Sequence, residues 1–231
     1  MKTNIIYNSI SEKSSENALL CRQSFNNFKG WDVEIFDGCN PLNLHKYHNK
    51  YNLKTTERTL HQDRPLVKIH SKKCCFYSHY ELWNRCAESG KNMVIVEHDT
   101  ECVLDNNIPE FDPKEKLAMQ LSTDTILWNW PWYNTEKNKE KYEKNGSGVH
   151  EIFYSQPNGV KCMSGNTAYL ITPAACEHLI QDCIKNGWTQ NDLLINTSQF
   201  PLYYYAPSPI AYIKSRELRS SSVGVIKDFI K

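Results

Sequence analysis

The chain has 231 residues whose charges nearly cancel, with 27 Lys and Arg against 26 Asp and Glu for a net charge of +1. That balance excludes a polybasic nucleic-acid wrapper and an acidic disordered chain. With 40% hydrophobic residues and 9 Gly it nears the ordinary globular apolar content of about 45–50%, and its length suits one α/β domain over 1–231.

Residues 5–10 read as a short strand. Ala18, Cys21, Phe25 and Phe28 follow at helical spacing, with Ser14 or Ser15 ahead of them as the cap and Gly30 behind them as the stop. Residues 33–36 read as a second strand ending at Asp37-Gly38, so the first forty residues carry the β-α-β rhythm of a parallel sheet. From Asn40 to about Arg64 the sequence is polar and without sustained periodicity, which predicts a loop region with little regular structure.

Residues 75–89 predict a helix with Phe76, Tyr80, Trp83 and Ala87 on one stripe and Gly90 as its stop. Residues 93–96 form a continuous apolar run ending in Glu97-His98-Asp99, the pattern of a strand buried on both faces. Residues 117–122 and 168–172 predict further strands. A helix then starts with Thr172 as N-cap and Pro173 at its first position, lines up Cys176, Leu179, Ile180 and Cys183, and stops at Gly187. Between them, Trp128-Asn129-Trp130-Pro131-Trp132-Tyr133 gathers aromatics around a proline, and the Lys/Glu/Asn run after it predicts a mobile surface loop at 134–150.

The nine cysteines are odd in number, include an adjacent pair and show no C-x-x-C spacing. That pattern points to neither a disulfide framework nor a structural zinc site, but to reduced cysteines in a cytoplasmic protein. The N-terminus turns polar at Asn8, and no apolar run approaches the roughly 20 residues of a membrane span, so neither secretion nor spanning is expected.

In open parallel α/β sheets, ligands bind at the carboxyl ends of strands, and Glu97-His98-Asp99 stands at the end of the most apolar one. Two carboxylates one residue apart share a side of an extended strand, which lets both address one hard cation. A divalent ion there would neutralise a diphosphate leaving group. The plainer reading is that acidic residues simply end a strand.

Cys74-Cys75-Phe76-Tyr77-Ser78-His79-Tyr80-Glu81-Leu82-Trp83, followed after a helix-sized gap by Val94-Ile95-Val96-Glu97-His98-Asp99, resembles glycosyltransferase family 25. So do Gly165-Asn166-Thr167-Ala168-Tyr169-Leu170-Ile171-Thr172-Pro173 and the later Asp192. The likeness spans roughly residues 4 to 210. Two departures stand out: Cys74 replaces the family's usual glycine, and His98 replaces the middle aspartate of its acidic triplet.

The resemblance implies a GT-A-like nucleotide-binding sandwich, α/β, with a mostly parallel central sheet flanked by helices. It further implies transfer from a nucleotide-sugar, a UDP-sugar foremost, with Mn2+ or Mg2+ held by Asp99 and Glu97. Donor contacts fall to Asn8, Ser9, Ser78, His79, Glu97 and His98, and the general base of an inverting reaction to Asp192. Each has a structural alternative: turn chemistry for Asn8 and Ser9, helix packing for Ser78 and His79, and N-capping for Asp192. Arg58, Arg64 and Lys68 are further phosphate candidates whose alternative is plain solvation. Trp128, Trp130, Trp132 and Tyr133 are candidates for an acceptor wall, with core packing as their alternative. The acceptor expected is a saccharide or protein hydroxyl, with a hydroxylated nucleobase in nucleic acid chemically equivalent. Rival functions are a non-catalytic sugar- or nucleotide-binding protein on the same fold and a metal-dependent phosphoesterase using Glu97 and Asp99.

Overall fold

The computed structural model describes residues 1–54, 66–123, 135–153, 161–163 and 165–213, with backbone alone at 66–69. Three parallel strands, β1 (Lys2–Tyr7), β2 (Asp32–Asp37) and β3 (Met93–Glu97), form one half of a seven-stranded sheet in the order β2-β1-β3. The other half runs outward from β3 through β7 (Ala168–Ile171), β5 (Ala118–Gln120), β8 (Leu202–Ala206) and β6 (Gly148–Glu151). There β5 and β8 pair in parallel, and β3 with β7, β5 with β7 and β6 with β8 are antiparallel. A separate antiparallel ribbon joins β4 (Thr100–Cys102) to β9 (Ile210–Tyr212). With helices on both faces, this is the α/β sandwich of GT-A type that the sequence predicts.

The alternation of side chains along each strand divides the core in two. Ile5, Val94, Val96, Met119 and Leu170 pack with Ala18, Cys21 and Phe25 of α1 (Glu12–Phe25) on one face. Ile6, Met93, Ile95, Tyr169 and Ile171 pack on the other with Phe76, Tyr80 and Trp83 of α3 (Leu66–Ser89). The same core takes Cys176, Leu179 and Cys183 of α5 (Pro173–Asn186). Fully burying such side chains is worth about 1.5–3 kcal/mol each, which explains why β3 is apolar at every position before Glu97. All nine cysteines are free, and eight of them are buried as small core residues. No helix among the described residues is long and apolar enough to cross a membrane.

Several boundaries differ from the sequence expectation for local reasons. β1 begins at Lys2 and ends at Tyr7, so residues 8–10 belong to the turn that enters α1. The cap of α1 is Ser11, whose side chain accepts from the Ser14 amide. Ser14 itself is buried and accepts the Asn8 amide at 2.9 Å, and so serves the turn before the helix. The polar stretch after Asn40 is not all loop, because α2 (Leu44–Tyr51) forms within it. Its Leu44, Tyr47 and Tyr51 sit at helical spacing and pack on the core, with the Tyr51 ring stacked on Tyr77 and edge-on to Tyr80. Only two turns long, that stripe is hidden among charges. Helix α3 begins at Leu66, upstream of the predicted start.

The run expected as a loop at 134–150 is also structured, as α4 (Glu136–Asn145) followed by β6. Thr135 caps α4 by accepting from the Asn138 amide, and Glu136/Lys139, Lys137/Glu140, Lys139/Glu143 and Glu140/Lys144 alternate in sign at helix-neighbour spacing. Tyr142 stacks on Tyr204, and the Asn145 side-chain amide donates to the Tyr204 hydroxyl at 2.7 Å. Thr172, Pro173 and Gly187 delimit α5 as the sequence predicts.

Candidate active site

The carboxyl ends of β1, β2 and β3 lie on one edge of the sheet, and the acidic turn after β3 is pinned there from three sides. The Glu97 amide donates to the Thr167 carbonyl at 2.7 Å, and the Thr100 hydroxyl donates to the Glu97 carbonyl at 2.8 Å. The Ile213 amide donates to the Asp99 carbonyl at 2.8 Å, which ties the turn to the end of β9. Gly165, with φ of +57°, makes the left-handed bend that swings Asn166 and Thr167 beside this turn.

These elements surround a cavity of about 240 Å3. Glu97 and Asp99 line one part of it. Lys72 and Cys75 of α3, Gly165 to Thr167, Tyr212, and Gln190, Asn191 and Asp192 at the start of α6 (Asn191–Leu194) complete the lining. Although β3 ends at Glu97 and the next two residues turn, both carboxylates still reach the cavity and His98 does not. His98 is turned toward the end of β1, where its ring meets the Ile6 backbone, and its Nε2 has no protein partner. Burial lowers the pKa of its imidazole, against the pull of Glu97 and Ile6.

Asp99 is 8% exposed and its Oδ1 is a buried acceptor without a hydrogen-bond partner. Burial, reinforced by the charge of Glu97, pushes its carboxyl up to about 8. A carboxylate desolvated beside another carboxylate, with one oxygen unused, is the donor set a hard divalent cation completes. The residues present therefore fit Mn2+ or Mg2+ at Asp99 and Glu97.

Asp192 stands at the second position of α6, whose N-cap is Gln190, so it is not the cap that its place in the sequence suggests. Its carboxyl pKa is raised by burial and by Glu97, while Lys72 pulls it back toward the charged form. The net direction is upward, with Lys72 opposing the protonated form that burial and Glu97 favour.

The remaining donor candidates are placed unequally. His79 is 1% exposed, with Nε2 3.3 Å from Glu97 Oε1 and Nδ1 2.7 Å from the Tyr169 hydroxyl, which also accepts from the Trp83 indole at 2.9 Å. It braces Glu97 from behind the cavity. Ser78 is also buried, but its hydroxyl is spent on the scaffold, donating to the Cys74 carbonyl and accepting the Cys39 amide, both at 2.8 Å. That joint is tight enough that a Cβ on Gly38 would lie 2.5 Å from Ser78 Oγ. Asn8 and Ser9 close the turn after β1, with Asn8 Oδ1 accepting the Ile10 amide and the Ser9 amide donating to Asp37. They share the sheet edge with Glu97 without lining its cavity. Trp128, Trp130, Trp132 and Tyr133 lie outside the described residues, as do Arg58 and Arg64, and only the backbone of Lys68 is described.

Lys72, Cys75, Asn166, Gln190, Asn191 and Tyr212 are site residues that the sequence reading assigns no role. Asn166 and Asn191 join the two loops of the site, Asn191 Nδ2 donating to Asn166 Oδ1 at 3.3 Å. Both sit in motif segments already singled out, and that neighbourhood was their signal. Tyr212 had none, because the β4–β9 ribbon that delivers it pairs segments about a hundred residues apart.

No curated protein gives a significant match to the chain. The model of glycosyltransferase family 25, described as an LPS biosynthesis protein family, matches residues 8–195, from the turn after β1 to the end of α6. That span holds every acidic residue of the cavity and most of the sheet that carries them, and the chain belongs to glycosyltransferase family 25.

Proposed function

We propose that the protein transfers a sugar from a nucleotide-sugar donor, a UDP-sugar foremost, to an acceptor hydroxyl with the aid of a divalent cation. The observation that carries this reading is the unpartnered, buried Oδ1 of Asp99 beside Glu97 in a cavity that also holds Asp192. Asp99 and Glu97 would hold Mn2+ or Mg2+, which when bound neutralises the charge that develops on the departing diphosphate. Asp99 lies on a turn fixed by the Thr167 carbonyl, the Thr100 hydroxyl and the Ile213 amide, so its carboxylate needs little reordering. Glu97 is held by His79 and directs its carboxylate into the cavity. Asp192 takes the proton from the acceptor hydroxyl as its oxygen bonds to the anomeric carbon and the bond to the departing nucleotide diphosphate breaks, a single displacement that inverts the anomeric configuration.

His98, turned out of the cavity, leaves the carboxylate pair intact, and this favours turnover over a purely binding role. The acceptor is a saccharide or protein hydroxyl, or the chemically equivalent hydroxyl of a modified nucleobase, with Trp128, Trp130, Trp132 and Tyr133 assigned to its contacts from sequence. The test is a panel of nucleotide-sugars scored by thermal shift with Mn2+, since a ligand that binds only the native state raises the melting temperature. A UDP-sugar that stabilises the protein only with cation present, and whose sugar is transferred, supports the reading. Cation-independent binding of every donor, or phosphate-ester cleavage without a sugar donor, overturns it.

A further inference from the structure

Two proton donors converge on a single oxygen at the back of the cavity. The Cys75 thiol lies 3.9 Å from Glu97 Oε1, and His79 Nε2 lies 3.3 Å from the same atom. The sulfur, the imidazole nitrogen and the carboxylate oxygen all fall within 4.8 Å of one another. A tetrahedral Zn2+ with metal–sulfur and metal–nitrogen distances of about 2.3 and 2.0–2.1 Å sets its ligand atoms roughly 3.3–3.8 Å apart, so small side-chain adjustments close this triangle on an ion. We infer that Cys75, His79 and Glu97 form a second cation site, selective for thiophilic ions of the Zn2+ class, which shares Glu97 with the carboxylate pair of Glu97 and Asp99.

Three features support it. Charge balances: one thiolate and one carboxylate cancel a dication, and the imidazole stays neutral. The histidine is aimed, because His79 is 1% exposed and its Nδ1 is tethered to the Tyr169 hydroxyl, the outer partner that metal-bound histidines use to fix the ring. A fourth position is open, since Cys75 is exposed to the cavity and has Asn191 Oδ1 3.7 Å from its sulfur, leaving room for water or that amide oxygen. The protons also balance. In the neutral tautomer with its proton on Nε2, Tyr169 donates to Nδ1 and Nε2–H donates to Glu97. On loading, the thiol proton leaves to solvent and the imidazole changes tautomer, so that Nδ1–H donates a hydrogen bond to the Tyr169 oxygen, which keeps its own proton and still accepts from Trp83. A thiolate sets this site apart from the all-oxygen pair, which suits Mg2+ or Mn2+.

The experiment is a titration of the full chain with Co2+, read by thiolate-to-cobalt charge-transfer absorption, which does not depend on any sugar donor. Expected is a band that saturates at one equivalent, is bleached by Zn2+, and is lost in Cys75→Ser while that variant keeps its thermal transition. Tyr169→Phe is expected to weaken binding about 10–100-fold, as loss of a histidine's outer partner does. Absence of the band in the parent, or its persistence in Cys75→Ser with the other cysteines intact, overturns the inference. A Co2+ band in a protein that transfers no sugar leaves this site standing and removes only the transferase reading.

Discussion

The hydroxyl of Tyr169 lies 2.7 Å from His79 Nδ1, and with the Trp83 indole donating to the same oxygen it makes a buried chain that ends at Glu97. Tyr169 belongs to β7, while Trp83 and His79 belong to α3, so the chain also fastens the helix to the sheet. Tyr169→Phe strips the acceptor from a fully buried indole and the partner from a buried imidazole. The expected cost is about 1–3 kcal/mol. For a chain of this size that is a fall in melting temperature of roughly 2–4 °C per kcal/mol. Turnover is expected to fall as well, because Glu97 loses its fixed brace. A variant with parental melting temperature would show that the chain is not bearing this load.

Asp99→Asn separates what the carboxylate costs from what it binds. In cation-free protein burial and Glu97 push the Asp99 carboxyl up to about 8, so near neutral pH it is largely protonated, and the neutral amide is expected to leave the melting temperature unchanged or raise it slightly. With Mn2+ the order reverses. The parent gains stability as the cation fills its ligand set, and the variant gains little. Equal Mn2+-dependent shifts in the two proteins would remove Asp99 from the cation site.

What was legible in the sequence follows from the range of the interactions. The apolar run of β3, the Thr172–Pro173 start and Gly187 stop of α5, and the acidic pair at a strand end are local signals, and they placed the sheet and the strand end that lines the cavity. Helices α2 and α4 were hidden, because short polar helices hold their place through a few aromatic contacts, Tyr51 on Tyr77 and Tyr142 on Tyr204, that only the tertiary fold creates. Ser78 was misleading for the same reason. Its position in the motif points to a ligand, yet its hydroxyl stitches Cys74 to Cys39. Cys75 looked like another core cysteine, whereas it is the one of the nine that opens to the surface.

A half-buried acid, Glu81, gives a pH signature remote from the cavity. Burial works to raise its pKa, but hydrogen bonds from Lys50, Tyr51 and Arg85 outweigh it, and the carboxyl ends below its ordinary value. Lys50 Nζ is 2.8 Å and Arg85 Nε 3.2 Å from its oxygens, and the side chain is 13% exposed. A folded-state pKa below the unfolded one adds stability that is full above the unfolded value of 4.5 and is lost as pH falls through the lowered folded value. The cations are half in solvent and screened, so the contribution at neutral pH is at most about 1 kcal/mol. Glu81→Gln is expected to be less stable than the parent at pH 7, with the two denaturation midpoints converging in acid. A gap that stays constant with pH would mean packing, not charge, sets the effect.

Asp192→Asn tests the proton acceptor of the proposed transfer. The carboxylate faces the cavity from the first turn of α6, with Lys72 favouring its charged form and burial opposing it. Gln190 occupies the N-cap without a side-chain cap bond, and the backbone amides of Asp192 and Leu193 that the carboxylate meets can still be met by the oxygen of an amide. The amide matches the acid in shape and leaves the loop contact between Asn191 and Asn166 in place. Stability and donor affinity are therefore expected to stay near parental. An amide cannot accept the acceptor's proton, and general-base assistance is typically worth about 10²–10⁴ in rate, so turnover is expected to fall at least about a hundredfold. The fall belongs in kcat, with KM for donor little changed, because the lost interaction exists only as the hydroxyl is deprotonated. Retained turnover would assign Asp192 a purely electrostatic part in the cavity and move the search for the base to Glu101 or Glu151, or to Asp124 outside the described residues.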